Sequence, residues 1–262
     1  MSIFRDGLFA GKHLFVTGGS SGINLGIATA FAEHGAKVSI NGRKPDKLEA
    51  AVAGLTTRGF LAAGFPADVR DSAAISGALA AAVERHGPID VLVCGAAGNF
   101  PAPVVGMSAN GFKAVVDIDL VGTFNAARAA FEHLTKPGAA VIAISAPQAA
   151  IPYPMQAHVC AAKAGVDMLV KTMALEWGPA GVRVLSIWPG PIDGTEGMDR
   201  LSGDAASKQR IEQALPLQRF GTKAEVAQLA LFLASDGARY CTGGVYTVDG
   251  GMSLIGGSIL SR

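Results

Sequence analysis

Thr17-Gly18-Gly19-Ser20-Ser21-Gly22-Ile23-Asn24-Leu25-Gly26 is the stretch whose reading decides the fold. A short apolar run, His13 to Val16, precedes it. A helical pattern, Ile23 to His34, follows it and closes at Gly35 in a cap position. Strand, glycine loop and helix in that order make a phosphate cradle. The glycines let the backbone turn sharply and approach a pyrophosphate, and the helix start offers unspent N–H groups and the positive end of its dipole. A glycine cluster alone is a weak signal, but in this placement it is a strong one. Gly18, Ser20, Ser21, Gly22 and Ile23 are therefore predicted to hold a dinucleotide. Asn24 stands where the pattern usually has its third glycine. Asparagine tolerates left-handed backbone, and its amide is in reach of a cofactor; packing of the helix is the equal alternative.

The same alternation runs outward along the chain. Short apolar runs at Lys37–Ile40, Phe60–Phe65, Asp90–Val93, Ala140–Ser145, Arg183–Ile187 and Val245–Val248 read as strands. Helical patterns cover Ser72–Arg85, Ala109–Leu134 as one long helix, Ala157–Trp177 and Ala224–Ala234. This order predicts an α/β fold: a single Rossmann-like, doubly wound parallel sheet with helices on both faces, in one domain over residues 1–262. The polar, weakly patterned stretch Asp193–Pro216 follows a strand end, where open parallel sheets bind ligands, and is expected to be a substrate lid.

Composition sets the bounds. The 262 residues are 50% hydrophobic and 16% charged, with a net charge of +1. A chain of this length makes one ordinary α/β domain, and its charge calls for neither nucleic acid nor an anionic membrane as partner. The mean hydropathy of +0.35 points to much buried surface, subunit contacts included. Cys94, Cys160 and Cys241 follow no metal spacing and suit a reduced compartment. The first residues lack a signal-peptide pattern, no apolar run spans a bilayer, and the last residues are not a peroxisomal address. The expectation is a cytoplasmic protein.

The second strand leads into Asn41-Gly42-Arg43-Lys44. A carboxylate there would bind both ribose hydroxyls of NADH and repel a 2′-phosphate, whereas Arg43 and Lys44 offer cations to that phosphate. NADPH is expected over NADH. Asp68-Val69 follows the third strand, where it would meet the adenine edge; Asp68 could equally cap the next helix.

These marks, with Cys94-Gly95-Ala96-Ala97 after the fourth strand, Lys163, Pro189-Gly190, Thr242-Gly243 and Asp249-Gly250-Gly251, make the chain resemble the short-chain dehydrogenase/reductase family over nearly its whole length. The resemblance implies a homotetramer using a nicotinamide cofactor, with further cofactor contacts at Ala96, Lys163, Pro189 and Ile192. The family's Asn-Ser-Tyr-Lys set survives only at Lys163. Val159 stands at the tyrosine position, Ala146 at the serine position and Asp119 at the asparagine position. Valine and alanine donate no proton to a ketone oxygen.

One branch shares these departures. Ala96-Ala97-Gly98-Asn99-Phe100, Asp117-Ile118-Asp119 with Gly122-Thr123-Phe124-Asn125, and Gly190-Pro191-Ile192-Asp193-Gly194-Thr195-Glu196-Gly197 are similar to 2,4-dienoyl-CoA reductases of the peroxisomal type. That resemblance implies catalysis by Asp119 and Lys163, and an Asn99 that helps hold the thioester. The chemistry is consistent with these residues. Hydride at carbon 5 of a dienoyl thioester makes an extended enolate, which needs a proton at carbon and donors at its oxygen. A carboxylate mid-helix is costly to bury unless paired, and Lys163 is the natural partner for Asp119. His158 is a candidate for proton transfer or for packing at the helix start. Met155 and Phe100 are expected to line an apolar acyl pocket, with ordinary core packing as the rival. The rival readings are a reductase of enoyl or 3-oxoacyl thioesters and a catalytically inactive dinucleotide-binding protein.

Overall fold

A computed structural model describes residues 4–198 and 204–255. Seven strands, β1 (His13–Thr17), β2 (Lys37–Gly42), β3 (Ala62–Pro66), β4 (Val91–Cys94), β5 (Ala140–Ile144), β6 (Arg183–Pro189) and β7 (Val245–Val248), form one sheet in the order β3-β2-β1-β4-β5-β6-β7. Every pairing is parallel, with Val16 opposite Ile40 and Val93, Val93 opposite Ile142, and Ile142 opposite Leu185. The order reverses between β1 and β4, which opens a crevice at the carboxyl ends of those strands.

Strand side chains alternate between two apolar layers. Leu14, Val16, Ile142 and Ile144 pack with Ile27 and Phe31 of α1 (Gly22–Glu33) and with Val226 and Leu231 of α8 (Lys223–Ala234). Phe15, Val141 and Ala143 face the other way. They pack against Ile75 and Leu79 of α3 (Ser72–His86), Ala126 of α5 (Gly122–Ala130) and Val166 and Val170 of α6 (Ala157–Trp177). Burial on both faces is why these strands read as unbroken apolar runs. Gly35 has φ +90°, as its cap position requires.

The structure corrects the sequence reading at three elements. The single long helix expected over 109–134 is divided: α4 (Ala109–Val116), a π turn over Asp117–Val121, α5, and a 3₁₀ turn at Phe131–His133. The Thr123 hydroxyl of α5 donates to the Asp119 carbonyl of the wide turn at 2.6 Å. A helix α2 (Pro45–Thr56) was not anticipated; it buries only Leu48, Ala51 and Leu55. The stretch read as a weakly patterned lid holds α7 (Ala205–Ala214), whose single buried side chain is Ile211. A short α9 (Met252–Ile255) follows β7. Residues 199–203 of that lid, and 256–260 of the apolar C-terminal region expected to make subunit contacts, lie outside the described residues. No helix among the described residues is long and apolar enough to cross a membrane, and none of their His, Cys, Asp and Glu side chains group as a metal site.

At the far edge of β1 and β2, two imidazoles share a serine. His13 Nδ1 lies 2.8 Å from the Gly87 carbonyl, so it carries the proton; its Nε2 lies 2.8 Å from Ser39 Oγ, itself 3.1 Å from His86 Nδ1. Burial pushes His86 down to about 4 from an ordinary 6.5, helped by the neighbouring His13 and Arg85, and burial also lowers His13. Both rings are therefore harder to charge in the folded chain than in the unfolded one. The stability they contribute is fully present above 6.5 and is lost as pH falls towards about 4. The melting temperature should fall between about pH 7 and about pH 5, and less steeply in His86→Gln. Equal slopes in the two proteins would remove this assignment.

Candidate active site

The cleft at the carboxyl ends of β1, β4, β5 and β6 is a cavity of about 560 Å³. Its floor is the glycine loop. Gly18 (φ +66°) and Gly22 (φ +59°) are left-handed, and a Cβ on Gly18 would lie 2.9 Å from Ala96 Cα. Ser21 precedes α1 without spending its side chain on a cap, so the first N–H groups of α1 remain for an anion. Arg43, Lys44 and Lys47 line the cavity just past β2. A loop in close backbone contact, an uncapped helix start and three cations suit a phosphorylated dinucleotide.

Asn24 is helical, not left-handed; it lies in the first turn of α1 and lines the same cavity. Its Nδ2 donates to the Gly95 carbonyl at 2.7 Å and to the Gly18 carbonyl at 3.3 Å, tying the glycine loop to the end of β4. The amide occupies the space beside Gly95: a Cβ there would lie 2.1 Å from Asn24 Oδ1. Thr17 Oγ1 accepts from the Gly95 and Ala96 N–H groups at 3.0 and 3.3 Å, so β1 and β4 converge on one turn.

Asp119 and Lys163 meet in the cleft wall. They are 1% and 6% exposed, and the ammonium lies 3.1 Å from Asp119 Oδ2. Lys163 also donates to the Ile144 carbonyl at 2.9 Å, and Asp119 Oδ1 accepts from the Gly98 N–H at 2.7 Å. The contact with Oδ2 is an ion pair without hydrogen-bond angles, so Oδ2 accepts no hydrogen bond from the described residues. The π turn brings Asp119 inward. Asp117, two positions earlier, is on the surface in an ion pair with Lys113. Removing either member of a buried pair leaves the other uncompensated, so this constellation stands or falls together.

Gly18, Ser20, Ser21, Gly22, Ile23, Asn24, Arg43, Val69, Ala96, Asn99, Asp119, Lys163, Pro189 and Ile192 all line this one cavity. Ala146 and Val159, where the resemblance would place hydroxyls, line it too. Four named residues are not part of the lining. Asp68 is held by Arg70, whose guanidinium keeps its carboxyl below the usual range, and Asp71 rather than Asp68 caps α3. Phe100 is 37% exposed and Met155 44% exposed. His158 is fully buried, its ring edge-on to Phe100 at 4.4 Å, with neither nitrogen bonded to a described residue. Tyr153 packs with Met198, Ile211, Phe220 and Met252; burial raises its phenol to about 12. The sequence reading missed Lys47, Ser145 and Gln148 in the lining, and Gln156 behind them. Two glutamines in an otherwise apolar loop before α6 were the available signal.

Comparison with known proteins gives one consistent set of matches. Residues 18–253 match the family model described as enoyl-(acyl carrier protein) reductase. The chain is 40% identical to the peroxisomal 2,4-dienoyl-CoA reductase of Saccharomyces cerevisiae, named as (3E)-enoyl-CoA-producing, over 97% of this chain and 88% of that one. It is 43% identical to the enzyme of the same description from Pongo abelii, over 96% and 87% of the two chains. Among solved structures it is similar to a short chain dehydrogenase from Bacillus anthracis, with a TM-score of 0.83, 38% identity, and coverage of 92% of this chain and 96% of that one.

Proposed function

The chain belongs to the short-chain dehydrogenase/reductase family, and from that premise we propose that it is an NADPH-dependent reductase of 2,4-dienoyl thioesters carried on coenzyme A. The observation that carries this reading is the buried Asp119–Lys163 pair in a glycine-loop cavity whose lining has Ala146 and Val159 at the hydroxyl positions. A ketone reductase needs an acid at the carbonyl oxygen; a dienoyl reductase needs a proton at carbon.

When bound, NADPH supplies a hydride to carbon 5 of the diene. The remaining double bond then lies between carbons 3 and 4, and the charge lies on the thioester oxygen. Asn99 donates to that oxygen from the cleft wall. Asp119 Oδ2, which accepts no hydrogen bond from the described residues, holds a water that protonates carbon 2 and so gives a 3-enoyl thioester. The Lys163 ammonium returns a proton to the hydroxide left behind and is recharged from solvent. Arg43, Lys44 and Lys47 favour the 2′-phosphate of NADPH over the bare ribose of NADH.

The stretch Asp193–Pro216 acts as a lid; Thr195, Glu196 and Met198 line the cavity, and Glu196 pairs with Lys47 at 2.6 Å. The exposed apolar side chains of Val105, Phe124, Met168 and Leu175 form surface that other copies cover in a homotetramer. A cytoplasmic location is the expectation from the sequence, and cell fractionation tests it against the peroxisomal location in the names of two relatives.

The decisive assay follows NADPH oxidation with 2,4-hexadienoyl-CoA, acetoacetyl-CoA and crotonyl-CoA side by side, with NADH as the alternative donor. Turnover of the dienoyl ester with NADPH preferred is expected. Preferential reduction of acetoacetyl-CoA, or tight NADPH binding with no turnover of any ester, would overturn the reading.

A further inference from the structure

The loop between β5 and α6 brings a second amide to the cleft. Gln148, on the turn Pro147–Ala149, lines the cavity two residues after Ala146. Its Nε2 donates to Gln156 Oε1 at 3.0 Å, and Asn99 Nδ2 approaches the same oxygen at 3.5 Å. Gln156 is 2% exposed, at the start of α6. An amide nitrogen carries two protons. Gln148 and Asn99 each turn one towards Gln156 and keep one for the cleft.

We propose that Gln148 is a catalytic donor to the thioester oxygen, acting with Asn99, and that Gln156 is a positioning residue that fixes both. The inference rests on the dienoyl reductase reading. Its physical basis is the missing hydroxyls. Ala146 and Val159 leave the oxygen that gains charge without the donors that a serine and a tyrosine would give. Gln148 provides a neutral N–H from the neighbouring turn. A preorganised neutral donor stabilises the enolate oxygen yet does not protonate it, which leaves carbon 2 as the site of protonation.

The test measures steady-state reduction of 2,4-hexadienoyl-CoA, and separately NADPH binding by fluorescence, for wild type, Gln148→Leu, Gln148→Glu, Gln156→Leu and Gln156→Glu. Gln148→Leu should lower kcat by about 100-fold with little change in NADPH Kd. Gln148→Glu should lower it further, because a carboxylate repels the enolate. Gln156→Leu should lower kcat, and Gln156→Glu should recover most of it, since a carboxylate still accepts from both amides; a merely structural role for Gln156 would show no such recovery. Wild-type kcat in both Gln148 variants, or a loss of NADPH binding matching the loss of kcat, overturns the proposal. A wild-type protein inactive on the dienoyl ester overturns the function itself, and that result is distinct from a failure of the glutamines alone.

Discussion

Lys163→Met should abolish most turnover of 2,4-dienoyl-CoA, by on the order of 10³-fold, while NADPH binding changes far less. The ammonium does two things that methionine cannot. It neutralises Asp119, whose carboxylate is 1% exposed, and it stands 3.1 Å from the oxygen proposed to hold the proton-donating water. Methionine keeps the volume and removes the charge, leaving a buried carboxylate supported, among the described residues, by the Gly98 N–H alone. The protein should accordingly lose about 3–5 kcal/mol of stability. Asp119→Asn separates the two effects. It keeps an oxygen for Gly98 and removes the charge, so turnover should fall by a comparable factor. Normal rates in both variants would remove the assignment of this pair to catalysis. A loss confined to NADPH affinity would move it to cofactor binding.

The second large effect is expected at Gly95. A methyl group there would lie 2.1 Å from Asn24 Oδ1 and 2.4 Å from its Cγ, closer than atoms can approach. Gly95→Ala must therefore displace the amide that ties the glycine loop to β4. Overpacking of this kind costs about 2 kcal/mol, roughly 4–8 °C in Tm for a chain of this size. NADPH affinity should fall with it, because Gly18 loses the tie from Asn24. The sharper expectation concerns sign. Asn24→Gly alone should destabilise, because two hydrogen bonds are lost. In the Gly95→Ala background the same change should stabilise, because the clash is removed. Additive effects in calorimetry would show that the two positions do not share the space.

This pair also marks the limit of what the chain reveals before it is folded. Asn24 was visible as a departure from a familiar pattern, and Gly95 as part of the turn after the fourth strand. Their mutual fit was not, because they are 71 residues apart and the relation is one of shared volume. The parallel sheet was legible because strands buried on both faces leave uninterrupted apolar runs, as in Leu14–Val16 and Val141–Ile144. The helix α2 was not: its buried side is three residues, and Pro45 and the charges after it resemble a turn. The break at Asp117–Val121 was equally hidden, since apolar spacing continues through it. At the site, residues of distinctive chemistry such as Lys163 and Asp119 could be named in advance, whereas Gln148 and Gln156 gain meaning only when the loop folds them around one oxygen.

The wide turn at Asp117–Val121 has a bearing on how such a scaffold changes its reaction. An i→i+5 turn accommodates one residue more than regular helical pitch allows. Excising a residue from it would restore that pitch with the flanking helices still in phase, and would change which side chain of the turn faces inward. The acid beside Lys163 is thus specified by the length of the helix as well as by its letter. Libraries built from substitutions alone hold that length constant, so exchanging one chemistry for another in this framework calls for insertions and deletions to be sampled too.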